Sequence, residues 1–332
     1  MSALSPFLRG NHVHTTLSAR AVAEIFAIVY PFEVPAGARL VNRGLNDVYE
    51  LTTPGRRFLR IGRQARRTLS DAEFEAQALA EARAAGAPVA VALRGRDGRF
   101  AQRLEAPEGD RAVLLFVAAP GSVPEDIPEH AHAQGRALAR LHETALTAST
   151  AANLRRLDID GLVNQPIAWA SEQLRDRPDV LGRLHDVAVG MGRYLETVQV
   201  DLSVGLCHGD CHGYNAAIDC GAATLFDFDD GGIGWIAYDL ATFLWSCERY
   251  SSALRLPLWA HFLAGYRSVR TLGGADREAL EALVMVHELW IFGAIAEGAA
   301  HWGGEWFRSA NAQRRVEELG ARFDRLVGPR LA

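Results

Sequence analysis

His208-Gly209-Asp210-Cys211-His212-Gly213-Tyr214-Asn215 is followed, twelve residues after Asn215, by Asp227 in Phe226-Asp227-Phe228-Asp229-Asp230. The stretch sets an acid, an amide and a second acid on a glycine-bearing loop that runs into a strand-like segment. Groups in that order suit phosphoryl transfer. Asp210 can take a hydroxyl proton, while Asn215 and Asp227 can hold magnesium against a nucleotide's phosphates. A His-Gly-Asp triplet alone would read as a solvent-exposed loop acid; the residues that follow give it meaning.

The surrounding chain has 332 residues, enough for two lobes whose cores need no disulfide staples. Hydrophobic residues make up 49% and charged residues 23%, an ordinary globular composition. The net charge of −5 speaks against general nucleic-acid binding, which needs a basic excess. Cys207, Cys211, Cys220 and Cys247 do not resemble a secreted disulfide framework, so a reducing, cytoplasmic setting is expected. No signal-peptide pattern opens the chain, and no apolar stretch is read as reaching the roughly 18 residues of a membrane span. A rival reading gathers Cys207, His208, Cys211, His212 and Cys220 into a zinc site. It leaves Asn215 and Asp227 unexplained, and the cysteines read better as small core residues.

Element signals place the motif in the second of two regions. A helix is expected over 18–29, stopped by Pro31, then strands over 38–41, 48–52 and 57–61, with Thr53-Pro54-Gly55 turning a hairpin. Ser70 with Glu73 reads as a capping box for an alanine-rich helix ending near Gly86. Strands follow over 89–93, 100–104 and 112–117. Beyond Pro120-Gly121 the pattern turns helical over 129–146, 166–176, 181–198, 237–249, 253–270, 276–299 and 305–327. Its strand-like runs, 216–218 and 224–228, flank Cys220-Gly221. The fold class is therefore α+β, with domains 1–117 and 118–332. A small sheet lobe before a helical one is the order that a clamped nucleotide would need.

The chain resembles the aminoglycoside phosphotransferase and choline-kinase-like superfamily, relatives of the protein kinases. The resemblance lies in His208-Gly209-Asp210 with Asn215, in Asp227, and in Tyr238-Asp239-Leu240-Ala241. Gly44-x-Asn46, Phe58-Leu59-Arg60-Ile61 and Leu138-Ala139-x-Leu141-His142 support it. Cys211 beside Asp210 and the doublet Asp229-Asp230 look especially like the bacterial stress-response kinase and type II homoserine kinase branches. The resemblance implies a protein-kinase-like two-lobed fold, with a small antiparallel-sheet N-lobe and a mostly helical C-lobe. It also implies ATP and Mg2+ as cofactors. Asp210 would be the catalytic base, Asn215 and Asp227 the metal ligands, and His208 and Asp239 the supports of the catalytic loop. Asp229 would ligate a second metal or cap the next turn.

On the nucleotide side, the turn at Gly44 and Asn46 would lie over the phosphates, or be a plain hairpin. Arg60 stands where protein kinases place a phosphate-gripping lysine. Its expected partner is Glu75, with Glu73 as the rival. Phe116, Val117 and Ala118 would form the hinge that meets adenine. His142 is expected to pack. Glu288, Glu297, His301, Trp302, Glu305 and Trp306 either hold a cationic amine or form a solvated helix face with core aromatics. The expected activity is transfer of the ATP γ-phosphoryl group to a small-molecule hydroxyl: an amino sugar, an amino alcohol or homoserine. The alternatives are a stress-response-type Ser/Thr protein kinase and a catalytically silent nucleotide-binding protein.

Overall fold

Leu59, Arg60 and Ile61 alternate faces along one strand, and that alternation organises the first part of the protein. The computed structural model describes residues 14–64 and 66–327. Its contacts divide the chain into two units: residues up to Pro120 with Leu146–Leu154, and Gly121–Ala145 with the residues from Arg155 onward.

In the first unit, helix α1 (Ala19–Val29) is capped by the Ser18 hydroxyl, which accepts from the Ala21 amide. An antiparallel sheet follows: β1 (Ala38–Arg43), β2 (Asn46–Leu51), β3 (Arg57–Gly62), β4 (Ala92–Leu93), β5 (Gln102–Ala106) and β6 (Gly109–Val117), in the order β1-β2-β3-β6-β4 with β5 also on β6. Side chains of period two divide between its faces. Leu59, Ile61, Val113 and Leu115 join Val22 and Phe26 of α1 in one core cluster. Ala112 and Leu114 face the other way and pack with Ala72 and Ala76 of helix α2 (Leu69–Ala84). Arg60 shares this second face, which directs it towards α2.

The cap of α2 differs from the expectation at Ser70 and Glu73. Thr68 is the N-cap, and its hydroxyl and the Asp71 carboxylate make the reciprocal bonds. Thr68 takes the extended conformation a cap requires, two residues before Ser70, which is already helical. Glu73 instead accepts the Ala101 amide at 2.7 Å.

The second unit begins with α3 (Pro128–His142), which ends before the expected residue 146. The short α4 (Ala148–Asn153) belongs to the first unit, where Glu81 accepts from Thr147 and Thr150. Then come β7 (Arg156–Leu157), a π-helical turn (Asp160–Asn164), α5 (Gln165–Gln173), α6 (Pro178–Val198) and β8 (Val204–Cys207). The hairpin β9 (Ala216–Asp219)–β10 (Ala222–Leu225) and β11 (Gly232–Trp235) precede α7 (Ile236–Cys247), α8 (Ser252–Arg267), α9 (Gly274–Trp302), α10 (Glu305–Arg308) and α11 (Ala310–Leu326). The three-stranded sheet β7-β11-β8 was not expected. Its strands are two to four residues long, and Gly205, Gly232 and Gly234 leave little alternation to read. Residues 305–327 form two helices rather than one, with extended Ser309 between them.

Helices α3 and α8 cross closely because both carry glycine at the contact. A Cβ on Gly135 would lie 2.0 Å from the Phe262 carbonyl oxygen, and one on Gly265 would lie 2.0 Å from that of His132. Helix α9 corrects the membrane-length reading: Gly274–Ala299 is long and apolar enough, by length and composition, to cross a membrane. Most of it is buried within the protein, with Leu283, Met285 and Phe292 in the core, as in a core helix of a globular unit.

Candidate active site

The loop after β8 is fixed by its own backbone. Gly209 has φ +83°, and a Cβ there would meet the Asp230 carbonyl oxygen at 2.0 Å, so only glycine fits. Asp239, fully buried near the start of α7, accepts the His208 amide at 2.6 Å and the Gly209 amide at 2.8 Å. His142 holds the same carboxylate at 3.0 Å through Nε2, while its Nδ1 meets the Tyr266 hydroxyl at 2.9 Å. A buried relay from α8 through α3 thus sets the loop's first two peptide units.

His208 braces the loop from within. Its Nδ1 accepts the Asp210 amide at 3.3 Å, so the proton sits on Nε2, which donates to the Phe226 carbonyl at 2.9 Å. Burial lowers its pKa, which keeps the ring neutral and suits this tautomer. The Phe226 amide in turn donates to the Asn215 carbonyl at 3.1 Å. One residue therefore ties His208, Asn215 and the start of the Asp227 segment together.

Asp210 is half-buried, with its Oδ2 3.3 Å from the Asn215 amide nitrogen, which also donates to the Asp210 carbonyl at 2.9 Å. Both contacts use Asn215 Nδ2 and leave the amide oxygen for another partner. Burial raises the Asp210 pKa to about 7, and the charges of Asp230 and Asp229 add to the effect. Asp227 is exposed and lies beyond β10 rather than on the strand expected over 224–228. Its φ is +67°, a left-handed conformation that is costly for a residue with a Cβ. Asp230 meets Arg155 at 3.2 Å. The oxygen-only set of Asn215 and Asp227 beside this concentration of acids fits a hard divalent cation such as magnesium.

The residues proposed for zinc are not gathered as ligands. Cys207 and Cys211 are buried thiols with pKa values pushed well above the ordinary one by burial, while Cys220 is exposed on the β9–β10 turn. Among the described residues, the group with ligand-type geometry is His142, Cys207 and Asp239. There, the His142 nitrogens and the Asp239 oxygens are occupied by the bonds described above.

In the first unit Arg60 donates to both oxygens of Glu75, at 2.6 and 2.8 Å, and both side chains are buried. Arg67 approaches Glu75 at 3.6 Å, and the Arg60 guanidinium lies 5.1 Å from the Phe116 ring centre. All 35 basic residues of the chain are arginine, so no lysine competes for this place. Asn46 is buried, and the Gly44 carbonyl is held by Arg63 at 2.9 Å. The Gly44 amide closes its own turn onto Asn46. The amides of Val117 and Ala118 donate to Val91 and Arg56. Contact with a base would therefore use other backbone groups of that segment.

Sequence reasoning missed Tyr266 and Arg155, whose partners lie 124 and 75 residues away in the chain, and also Arg67, which sits just before α2 and carries no motif signal. Of the C-terminal candidates, Glu288 lines a cavity and Trp306 packs edge-on against Phe292 and Phe307.

Comparison with known proteins places the chain in a family and a fold. The model of the phosphotransferase enzyme family matches residues 38–272. An uncharacterised protein of Deinococcus radiodurans is 34% identical over 88% of this chain and 86% of its own. Among solved structures, a microcompartment-associated aminopropanol kinase aligns with a TM-score of 0.72 at 23% identity, over 94% of this chain and 97% of that one. An amicoumacin kinase in complex with AMP-PNP and Ca2+ aligns with a TM-score of 0.70 at 19% identity, over 97% and 96%. The chain belongs to the phosphotransferase enzyme family and has its protein-kinase-like α+β fold.

Proposed function

We propose that the protein transfers the γ-phosphoryl group of ATP, with magnesium, to a hydroxyl of a small molecule: an amino sugar, an amino alcohol or homoserine. The observation that carries this reading is the braced loop itself. Asp210 is held against Asn215, His208 and Asp239 fix its backbone, and Asp227 follows in a strained conformation. Strain of that kind persists where surrounding structure imposes it, often for function.

Asp210 orients the acceptor hydroxyl and takes its proton as the oxygen bonds to the γ-phosphorus. The bond from that phosphorus to the β–γ bridging oxygen breaks, and ADP leaves with its electron pair. A loose transition state asks little basicity of the carboxylate, so an ordinary acid suffices. The Asn215 amide oxygen and the Asp227 carboxylate would hold magnesium, which when bound supplies positive charge to the phosphate oxygens. Arg60, with its guanidinium pinned by Glu75, offers a planar fork to the α/β phosphates where a lysine would offer a point charge. The Gly44–Asn46 turn and the Phe116-Val117-Ala118 segment are assigned to the phosphates and the base.

The test is incubation with γ-labelled ATP and magnesium against amino sugars, amino alcohols, amino acids and generic proteins. Label entering one of the small molecules is expected. Label entering protein alone would sink the small-molecule reading, and bound ATP with no transfer to anything would favour a silent binding protein.

A further inference from the structure

A cavity of about 240 Å³ opens between the end of α7, the middle of α9 and α11. Its walls carry Trp245, Glu248, Arg249, Glu288, Arg315 and Glu318. Counted as residues it looks balanced, three acids against two arginines. The pairing is not balanced.

Arg322 clasps Glu248 with two bonds, at 2.9 and 3.1 Å, and Arg255 adds a second cation at 3.7 Å. Glu318 is mostly exposed and lies 3.8 Å from Arg314. Arg315, by contrast, makes no side-chain hydrogen bond or ion pair among the described residues. Arg249 has no carboxylate within ion-pair distance among them. It donates to the Tyr250 hydroxyl at 2.8 Å, and its guanidinium rests over the rings of Tyr214 and Tyr250, 4.8 and 4.7 Å from their centres. Two cations thus line the cavity with no carboxylate within ion-pair distance among the described residues. Glu288 is less exposed than Glu318 and only weakly compensated: Arg322 lies 3.8 Å away, and burial holds its carboxyl above the ordinary range. Trp245 presents an aromatic wall beside it.

One wall residue of the cavity, Arg249, reaches the catalytic loop. Tyr214 belongs to the His208–Asn215 run, and an Arg249 nitrogen lies 3.9 Å from where a Gly213 Cβ would stand. His212, one residue earlier, has its Nε2 3.5 Å from Asp210. Its volume falls below the roughly 300–1,000 Å³ of pockets for drug-sized ligands, so an amino-acid-sized molecule suits it better than an oligosaccharide.

We propose that this cavity receives the phosphate acceptor, and that the acceptor is a small zwitterion: a hydroxylated amino acid with its carboxylate on Arg249 and Arg315 and its ammonium between Glu288 and Trp245. The assignment rests on the phosphotransfer reading above and narrows it, setting plain amino alcohols and amino sugars aside. Planar guanidinium groups match a carboxylate in paired hydrogen bonds, and an indole face with a neighbouring carboxylate suits an ammonium group.

Binding separates this inference from the catalytic one. Calorimetry, with and without AMP-PNP and Mg2+, would use L-homoserine, L-serine and L-threonine. It would also use 3-amino-1-propanol, which lacks the carboxylate, and 4-hydroxybutanoate, which lacks the ammonium. At least one zwitterion is expected to bind tenfold or more tightly than either singly charged compound. Arg315→Gln should weaken that zwitterion at least tenfold, leave 3-amino-1-propanol unaffected and keep the thermal midpoint, since Arg315 holds no ion pair among the described residues. Glu288→Gln should weaken 3-amino-1-propanol and the zwitterion alike. An amino alcohol that binds as well as every zwitterion, zwitterions that do not bind, or an Arg315→Gln protein with unchanged affinity would overturn the proposal. The expected binding pattern without transfer from γ-labelled ATP would overturn the phosphotransfer reading instead and leave the zwitterion site standing.

Discussion

Two regions of this protein handle buried charge in opposite ways. In the first unit, Asp47 and Glu108 meet Arg111 at 3.0 and 3.3 Å, and Glu75 meets Arg60 and Arg67. Each of these interior acids has an arginine, and Arg111 also donates to the carbonyls of Thr15 and Gly62. In the His208–Asn215 loop of the second unit, Asp210 has no arginine partner among the described residues; burial, with the charges of Asp230 and Asp229, raises its pKa to about 7. Matched charge makes scaffold. Under the proposed function, the like charge gathered around Asp210 on a braced backbone would make a place for a cation and its phosphates.

The widest break in that contrast would come from Asp227. Asp227→Gly removes the carboxylate yet suits the left-handed backbone. Transfer should fall on the order of 100-fold or more, while stability holds or rises by roughly 1 kcal/mol. Label transfer and thermal melting read the two effects, and a matching fall in stability would reassign Asp227 to the scaffold. On the matched side, Arg60→Met should cost about 3–5 kcal/mol in denaturant unfolding, because it strips Glu75 of its close partner. The double substitution Arg60→Met with Glu75→Leu should recover most of that stability without recovering transfer.

The surplus charge also predicts a pH signature. Asp210 has a folded pKa of about 7 against 3.8 for the ordinary group, so the fold prefers its protonated form. Its contribution is fully present below pH 3.8 and is lost as pH rises through 7, on the order of a few kcal/mol. Magnesium should therefore raise the melting temperature more at pH 8 than at pH 5, and Asp210→Asn should flatten the difference. The smallest effect concerns the cap of α2. Thr68→Ala should cost about 1 kcal/mol and Ser70→Ala only a few tenths, measured by denaturant unfolding.

How much of this was legible in the chain depends on distance along it. The hairpin around Thr53-Pro54-Gly55 and the face of Arg60 follow from turn residues and period-two alternation, both local signals. The order Asp210, Asn215, Asp227 was readable for the same reason. Strands β7, β8 and β11 were not, because glycines erase alternation and their pairing is set by partners up to 77 residues away. The clasp of Arg322 on Glu248 and the cradle of Arg249 on Tyr214 join elements that no motif links. Of the C-terminal acids read as open to a cationic amine, Glu288 lines the cavity, 3.8 Å from Arg322. Exposed Asp227 shows the converse: its residue type was legible and its backbone strain was not.

The central claim, that Asp210 with Asn215 and Asp227 performs phosphoryl transfer to a hydroxyl, meets its most direct test in one paired measurement. Transfer of label from γ-labelled ATP to the acceptor panel would be compared in the unaltered protein and in Asp210→Asn, with AMP-PNP affinity measured in parallel. The account expects transfer to fall on the order of 10²–10⁴-fold with nucleotide affinity intact. Undiminished transfer by Asp210→Asn would contradict it.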